Sequence, residues 1–311
     1  MKKLTLLLIA LCYTLPYHTP LNSFKKFGFM SKLFCICLFV ILATSTYAQS
    51  EKTSFLLDTA LIKVGYNRQL IRDTLNPLNT KHDYLTLQAG RNASVFYSVE
   101  NRLEDSIAEG NIQYTISVFR DNEQRKRVSQ LENEVIFRRH DIDQTWSHLR
   151  FDLTNWILYE SLEKPNWIIT DETDIILGFP CIKATTNFRG REWIAFFTPD
   201  IPIQEGPWKL YGLPGLILKA YDSKRHYFYE AKDINSKSPG LVEYVNYRDR
   251  LVLKDRIKSL KLRNEAKKKD IRQIMTHAFG IKIKPNPQMK KEDEAAKNHD
   301  FEETDYPHGS K

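Results

Sequence analysis

Short strand-like segments joined by tight-turn signals recur along this chain and leave little room for helices between them. The Ala-Gly-Arg-Asn turn of the first such hairpin carries Gly90 and Asn92, which tolerate the positive φ angles that hairpin turns require. Strands connected by so few residues must pair antiparallel. Three hairpins are predicted, joining residues 84–88 to 93–98, 181–187 to 191–198, and 216–221 to 227–231.

Further segments extend this β pattern. Alternation of apolar and polar residues over 112–119 predicts a half-buried strand, and shorter strands are expected at 134–139, 148–153 and 167–170. The polar run at 171–174 is typical of a turn. The pattern predicts a mainly β fold, an antiparallel curved sheet or open half-barrel with a C-terminal helix packed against it.

The C-terminal helix is predicted at about 249–280. Its apolar residues recur three or four positions apart, while eleven Lys/Arg and only four Asp/Glu lie between Arg248 and Arg272. The basic face has two interpretations, a solvated surface or a contact with an acidic partner or lipid headgroups. Residues 285–311, which follow a Pro-Asn-Pro sequence, are interpreted as a disordered charged tail rather than a weak metal site.

Residues 1–48 have the features of a leader. They contain five lysines and no acidic residue, and a short apolar run precedes Thr46-Tyr47-Ala48, a pattern typical of signal-peptide cleavage. A similar run follows Lys2-Lys3, so Met30 is the favoured start and an extended leader from Met1 is the alternative. We therefore expect an exported protein, in the periplasm or associated with the outer membrane, with no transmembrane span in the mature chain.

Cleavage after Ala48 would change the charge and the cysteine count. Loss of five lysines lowers the formal net charge from +8 to +3, which removes most of the support for nucleic-acid binding. Three of the four cysteines also leave, and Cys181 alone cannot form an internal disulfide. We interpret Cys181 as a small buried residue rather than a nucleophile.

The densest motif region carries a family resemblance. Residues 206–217 contain the string GLPGLI, and the chain resembles the GLPGLI family of exported Bacteroidota proteins over about residues 50–285. The flanks agree, although Phe197 stands where Tyr is usual: Gly178-Phe179-x-Cys181-x-Lys183-Ala184, Phe188-Arg189-Gly190-Arg191 and Phe197-Thr198-x-x-Ile201-Pro202. The resemblance implies one β-rich domain over 49–284, no assigned activity and an association with envelope and outer-membrane uptake functions.

The motif residues are typical of a rigid loop beside a core strand. Pro214-Gly215 suits the two central positions of a type II turn, because Pro presets φ and Gly accepts a positive φ. The alternative is that the loop and Trp208 line the mouth of a pocket. The predicted structural motif is Gly206, Pro207, Gly212, Leu213, Pro214, Gly215, Leu216 and Ile217.

A candidate ligand site lies just before this motif. Arg189, Arg191 and Trp193 share one parity, so in a continuous strand they share a face, and Trp208 is expected nearby. Arginine and tryptophan side chains can bind an anionic or aromatic ligand by bidentate hydrogen bonds and stacking. The alternative is structural, with the two arginines paired to Asp174 or Asp200.

Standard catalytic motifs are missing from the mature sequence, and no cofactor or metal is predicted. His140-Asp141-x-Asp143 with His148 can supply acid–base groups, but a surface turn is the favoured interpretation. The leading hypothesis is a non-enzymatic binding protein for an envelope or outer-membrane partner, or for a small apolar or anionic ligand. The alternatives are a periplasmic hydrolase, using His226 or His148 with an Asp, and an assembly factor for an outer-membrane uptake complex.

Overall fold

The computed structural model describes most of the chain after the leader. The described residues are 53–71, 80–108, 111, 113–114, 117–118, 121–128, 133–151, 154–246, 250–269, 276, 280 and 303–306. The predicted signal peptide, the start at Met30 and the tail apart from 303–306 lie outside them. No helix in the described part is long and apolar enough to cross a membrane.

The fold is mainly β, as predicted, and its hairpins begin and end close to the predicted residues. The strands are β1 (Thr53–Thr59), β2 (Ile62–Ile71), β3 (Thr80–Ala89), β4 (Ala93–Ser98), β5 (Val135–Arg139), β6 (Gln144–Phe151), β7 (Thr154–Ser161), β8 (Ile168–Ile176), β9 (Phe179–Phe188), β10 (Arg191–Thr198), β11 (Leu216–Asp222), β12 (Tyr227–Asn235), β13 (Leu241–Asn246) and β14 (Arg250–Leu253). The described helices are α1 (Val99–Ala108), α2 (Asn122–Val128), α3 (Arg256–Lys268) and a short 3-10 turn at His140–Ile142.

Twelve of these strands form one open sheet, in the order β14-β7-β6-β5-β4-β3-β2-β12-β11-β10-β9-β8. Neighbouring strands pair antiparallel except β14 and β7, which are parallel, so the sheet is mixed. It does not close on itself among the described residues, where β14 and β8 are its two edges. Strands β1 and β13 form a separate two-stranded ribbon.

Side chains on the two faces of the sheet enter different apolar clusters. On β4, Phe96 joins a large cluster that includes Trp208 and Leu213, whereas its neighbours Val95 and Tyr97 join a second cluster. The second cluster is covered by the ribbon, which contributes Val242. Because alternate strand residues point to opposite faces, both faces of this sheet are packed.

The C-terminal helix is shorter than predicted. Residues 250–253, assigned to the helix from their spacing, instead form β14 beside β7, and α3 begins after Asp255. The Asp255 side chain accepts a hydrogen bond from the backbone N–H of Lys258 at 3.0 Å, which is the N-cap geometry that starts a helix. Leu262 of α3 packs against Leu253 and so holds the helix beside the sheet edge.

Two local predictions were wrong. The strand predicted at 112–119 is helical at its described residues, which are Gln113, Tyr114, Ser117 and Val118. Its apolar residues recur with a period of two but also at four-residue intervals, so the periodicity did not discriminate between a strand and a helix. The turn predicted at 171–174 is instead the middle of β8, where a bulge absorbs the polar run between Ile169 and Thr173.

Candidate functional site

The motif loop (residues 199–215) connects β10 to β11 and lies on the larger apolar cluster. Leu210, Leu213 and Trp208 are buried there. The predicted type II turn is absent, because Gly215 has φ +158 and its N–H bonds to Leu213 O at 2.8 Å. Glycine is required at 215 for another reason, since a Cβ there would lie 2.1 Å from the Thr198 carbonyl oxygen.

Arg138, a buried residue of β5, binds the motif loop. The Arg138 guanidinium lies 3.1 Å from the Glu205 carboxylate, donates to Gly206 O at 3.1 Å and also donates to Trp208 O. Burial alone would raise the pKa of Glu205, but the charges of Arg138 and His140 outweigh it and hold this pKa below its ordinary value. A fully buried, multiply bonded arginine therefore fixes the start of the motif.

Both tryptophans of the predicted ligand site are core residues. Trp193 is fully buried, and its ring stacks on that of Trp208 with 5.3 Å between centroids. Trp208 adopts φ +53, a left-handed conformation uncommon for a bulky residue. The indole N–H of Trp193 has no hydrogen-bond partner in the described part of the chain. The stack therefore joins the motif loop to the sheet and presents little surface to a ligand.

The two arginines of the predicted site are paired, although not with Asp174 or Asp200. Arg191 lies 2.9 Å from the Asp222 carboxylate, and both side chains are buried. Arg189 lies in the β9–β10 turn with φ +54, so it does not follow the strand parity that the prediction assumed. Its guanidinium lies 3.2 Å from Glu160 and 3.1 Å from Glu163.

The end of the chain reaches this region as well. Residues 303–306, which we call the tail strap, lie against the domain, and the other residues of the predicted charged tail lie outside the described residues. Lys209 Nζ lies 2.6 Å from Glu303 and 2.7 Å from Glu160, and Arg256 lies 2.6 Å from Glu303. Thr304 donates its backbone N–H to Arg189 O at 2.9 Å.

The charges of this buried network compensate one another. Burial would raise the pKa of Glu303, but Lys209 and Arg189 lower it to about 2, so the carboxylate stays ionised at neutral pH. The two carboxylates conversely raise the pKa of Lys209 against the effect of its own burial. The motif lysine, which no sequence pattern singled out, is therefore the centre of an ion-pair network.

Of the predicted acid–base cluster, His140 acquires a partner that sequence spacing did not suggest. His140 Nε2 lies 2.7 Å from Glu205, 65 residues further along the chain, and the imidazole is 33% exposed. Asp141 instead pairs with Arg139, and Asp143 adopts φ +49 at the end of the 3-10 turn. In the described part of the chain, no group of three or more metal-binding side chains is brought together.

The other predicted reactive groups are less accessible. Burial, with a contribution from Arg150, lowers the pKa of His148 to about 4. Cys181 is buried and free, and burial raises the pKa of its thiol to about 11, as expected for a structural cysteine. Both groups are therefore uncharged at neutral pH.

Strand β8 presents apolar side chains at the edge of the sheet. Ile168 and Ile175 are 68% and 75% exposed, and Ile169 and Leu177 are also exposed. No described strand pairs with the outer side of β8. We call Ile168, Ile169, Ile175 and Leu177 the apolar edge. Exposed apolar groups beside an unpaired strand are typical of a protein-binding surface.

Comparisons with known proteins include a match to a family model. A model described as "Protein of unknown function (Porph_ging)" matches residues 189–219. This span begins at the β9–β10 turn and includes β10, the motif loop and part of β11. It includes four members of the ion-pair networks around the loop, Arg189, Arg191, Glu205 and Lys209, whose partners Arg138, Glu160, Asp222 and Glu303 lie outside it.

No curated protein sequence matches the chain. Two crystal structures of PNGF-II, in space groups P21 and C2, are each 13% identical to it, with TM-scores of 0.45 and 0.43. They cover 68% and 66% of this chain but only 34% and 32% of PNGF-II. The chain thus spans about a third of the length of that protein.

Proposed function

We propose that this chain is an exported cell-envelope protein of the GLPGLI family that binds a protein partner and has no catalytic activity of its own. The leader over residues 1–48 and the motif string at residues 206–217 support export and this family. The match of residues 189–219 to a family of unknown function is compatible with both. The periplasm or the outer membrane is the expected location, and an uptake complex is the expected context.

The observation that carries the binding function is the apolar edge on β8. Exposed isoleucines lie on both sides of a short polar segment, and the strand has no described neighbour on its outer side. Pairing there would satisfy free backbone groups and bury apolar surface together. A protein strand is the occupant that offers both.

The ion pairs around the motif loop argue against a small anionic ligand. Such a ligand would have to displace Asp222 from Arg191, or the carboxylates of Glu160 and Glu163 from Arg189. Separating a buried pair such as Arg191–Asp222 or Arg189–Glu160 costs about 3–5 kcal/mol, which is a large fraction of the binding energy of a small molecule. We therefore favour a protein partner over a small anionic or aromatic ligand.

A hydrolase is the second candidate, and the pair formed by His140 and Glu205 favours it. A buried carboxylate 2.7 Å from a partly exposed imidazole can orient the ring and stabilise its charged form during proton transfer. Replacement of His140 by Gln should abolish any hydrolytic activity found in the purified protein. If His140→Gln leaves that activity unchanged, the pair has no catalytic role.

Site-specific photo-crosslinking in living cells tests the binding function. A photoreactive amino acid at Ile175 should give a discrete adduct, whereas one at Glu192, exposed on the interior strand β10, should give none. A second change, Ile168→Lys, should abolish the Ile175 adduct because it places a charge in the same apolar edge. Equal adducts at Ile175 and Glu192, or none at either, would contradict the proposal.

Export has its own test, because it rests on the leader alone. Amino-terminal sequencing of the protein recovered from the cell envelope should begin at Gln49, directly after Ala48. Recovery of the uncleaved chain from the cytoplasm would contradict export and leave the binding function to be judged by crosslinking.

A further inference from the structure

The sequence of β8 is nearly symmetric about its central residue. The strand reads Ile-Ile-Thr-Asp-Glu-Thr-Asp-Ile-Ile, with Glu172 at the centre. Two isoleucines begin the strand and two end it, and each half between them contains one Thr and one Asp. An antiparallel pair of identical strands related by a two-fold axis requires this kind of self-complementarity.

We propose that β8 pairs antiparallel with β8 of a second copy of this chain, with the two-fold axis at Glu172. The inference rests on the proposed function in taking the apolar edge as the binding surface, and it names the partner. In this register Ile169 lies opposite Ile175, and both are exposed, whereas Ile168 lies opposite Ile176, which is buried in the core of its own copy. Apolar cross-strand pairs of this kind stabilise a sheet by about 0.2–1 kcal/mol each.

The polar residues of β8 are complementary in the same register. Thr170 lies opposite Asp174, and Asp171 lies opposite Thr173, so the Thr173 hydroxyl can donate a hydrogen bond to Asp171 across the interface. The Thr170 hydroxyl can do the same for Asp174 if it gives up its bond of 3.4 Å to Lys183 O. Shifting the register by one residue would remove every Thr–Asp pair and keep only one kind of Ile–Ile pair, Ile168 with Ile175 or Ile169 with Ile176. Side-chain chemistry therefore favours one register.

The bulge in β8 explains why a second copy fits better than an unrelated strand. Thr170 to Glu172 lie within an irregularity where Ile169 pairs with Ala184 but Thr173 pairs with Ile182 of β9. Bulges and charged residues on an edge strand hinder pairing with a regular strand. In the two-fold dimer, the bulges of the two copies lie next to each other at the axis. The regular segments at both ends of β8 can therefore still pair.

The meeting of two Glu172 side chains at the axis is unfavourable, and it suggests an experiment. The two Glu172 carboxylates approach each other at the axis. Within each copy, Lys183 Nζ lies 2.7 Å from the Glu172 carboxylate of that copy. Like charges directly opposite one another destabilise a strand pair. Glu172→Gln should therefore tighten the dimer by about two- to fivefold, and added salt should tighten the wild-type dimer in the same direction.

Crosslinking through an introduced cysteine tests the register directly. The full exported chain carrying Glu172→Cys should form a covalent dimer with a short bismaleimide. Glu192→Cys on interior strand β10 is the matched control and should stay monomeric. Wild-type protein should have twice the monomer mass by light scattering, and Ile175→Lys should reduce it to the monomer mass.

The outcomes separate this inference from the proposed function. If the wild type is monomeric at every concentration while a photoreactive group at Ile175 still labels another protein in cells, pairing with a second copy is wrong and the binding function holds. If the protein is monomeric and Ile175 labels nothing, both are wrong. A dimer that survives Ile175→Lys, or that crosslinks equally through Glu192→Cys, uses another surface and overturns the inference.

Discussion

The Lys209 ammonium lies 2.6 Å from the Glu303 carboxylate, so a residue of the motif loop is bonded to one 94 positions further along the chain. Glu303 also bonds to Arg256 at the start of α3, at 2.6 Å. The motif loop, the C-terminal helix and the tail strap therefore share one buried carboxylate. This arrangement assigns the region around the motif a structural role.

Removing the lysine of this network should destabilise the domain. Lys209→Met leaves two buried carboxylates, Glu160 and Glu303, without their shared cation, and we expect the free energy of unfolding to fall by about 3–5 kcal/mol. Urea denaturation followed by circular dichroism measures the loss. The matched control is Glu163→Gln, whose side chain is 57% exposed and should contribute less than about 1 kcal/mol. Similar losses in both variants would contradict the prediction.

The Gly215 backbone should not tolerate a side chain. Gly215→Ala would place a Cβ 2.1 Å from the Thr198 carbonyl oxygen, which is backbone and has little freedom to move. We expect a loss of about 2–3 kcal/mol or more, because the loop must shift away from β10. Gly178→Ala is the control, since its φ is +83 but a Cβ there meets nothing within 4 Å. It should cost only about 1–2 kcal/mol of strain, so a larger loss in Gly178→Ala would contradict this account.

The stacked tryptophans should behave as core residues. Trp208→Ala removes a buried ring stacked on Trp193, and we expect it to cost about 3–5 kcal/mol. Trp208→Phe keeps an aromatic ring and should cost clearly less. Thermal denaturation of both variants measures the difference. If Trp208 instead lined an open pocket, Trp208→Ala would change stability by less than about 1 kcal/mol.

Acid should destabilise the protein partly through His148. Its folded pKa is about 4, below the ordinary value of 6.5, because burial and Arg150 disfavour the charged ring. A lowered pKa in the folded state contributes stability above pH 6.5, and that stability is lost as the pH falls toward 4. Between pH 7 and pH 4.5 this group should account for a loss of about 2 kcal/mol.

Comparison with a neutral variant isolates this contribution. His148→Gln cannot acquire a proton, so its free energy of unfolding should fall less than that of the wild type over the same pH interval. Urea titrations at pH 7 and pH 4.5 give the two differences. Equal pH dependence in the two proteins would show that His148 is not held neutral by the fold.

Local sequence patterns were sufficient to predict much of the sheet. Strand-like segments around short glycine-containing or polar turns predicted the hairpins β3–β4, β9–β10 and β11–β12, because such a hairpin is formed by contacts within about twenty residues. The same patterns failed at residues 250–253. There a partner strand 95 positions earlier, β7, determined that the segment is a strand.

In the candidate site, too, the sequence predicted some features and missed those that depend on distant contacts. Its arginines and tryptophans were found from the sequence, and so was the possibility that the arginines are paired. Their actual partners were not, because Asp222, Glu160 and Glu163 approach them only after the sheet has formed. The pairing of His140 with Glu205 was missed for the same reason.

By itself, the sequence determined that this protein is mainly β, where its central hairpins turn and that a motif loop follows β10. Those features depend on backbone preferences and on the period of apolar residues, which act over a few positions. Only the tertiary structure decided that Lys209 is buried between Glu160 and Glu303, and that β8 lies at an open edge. Ion-pair partners and sheet edges depend on which distant segments become neighbours, and no local pattern records that choice.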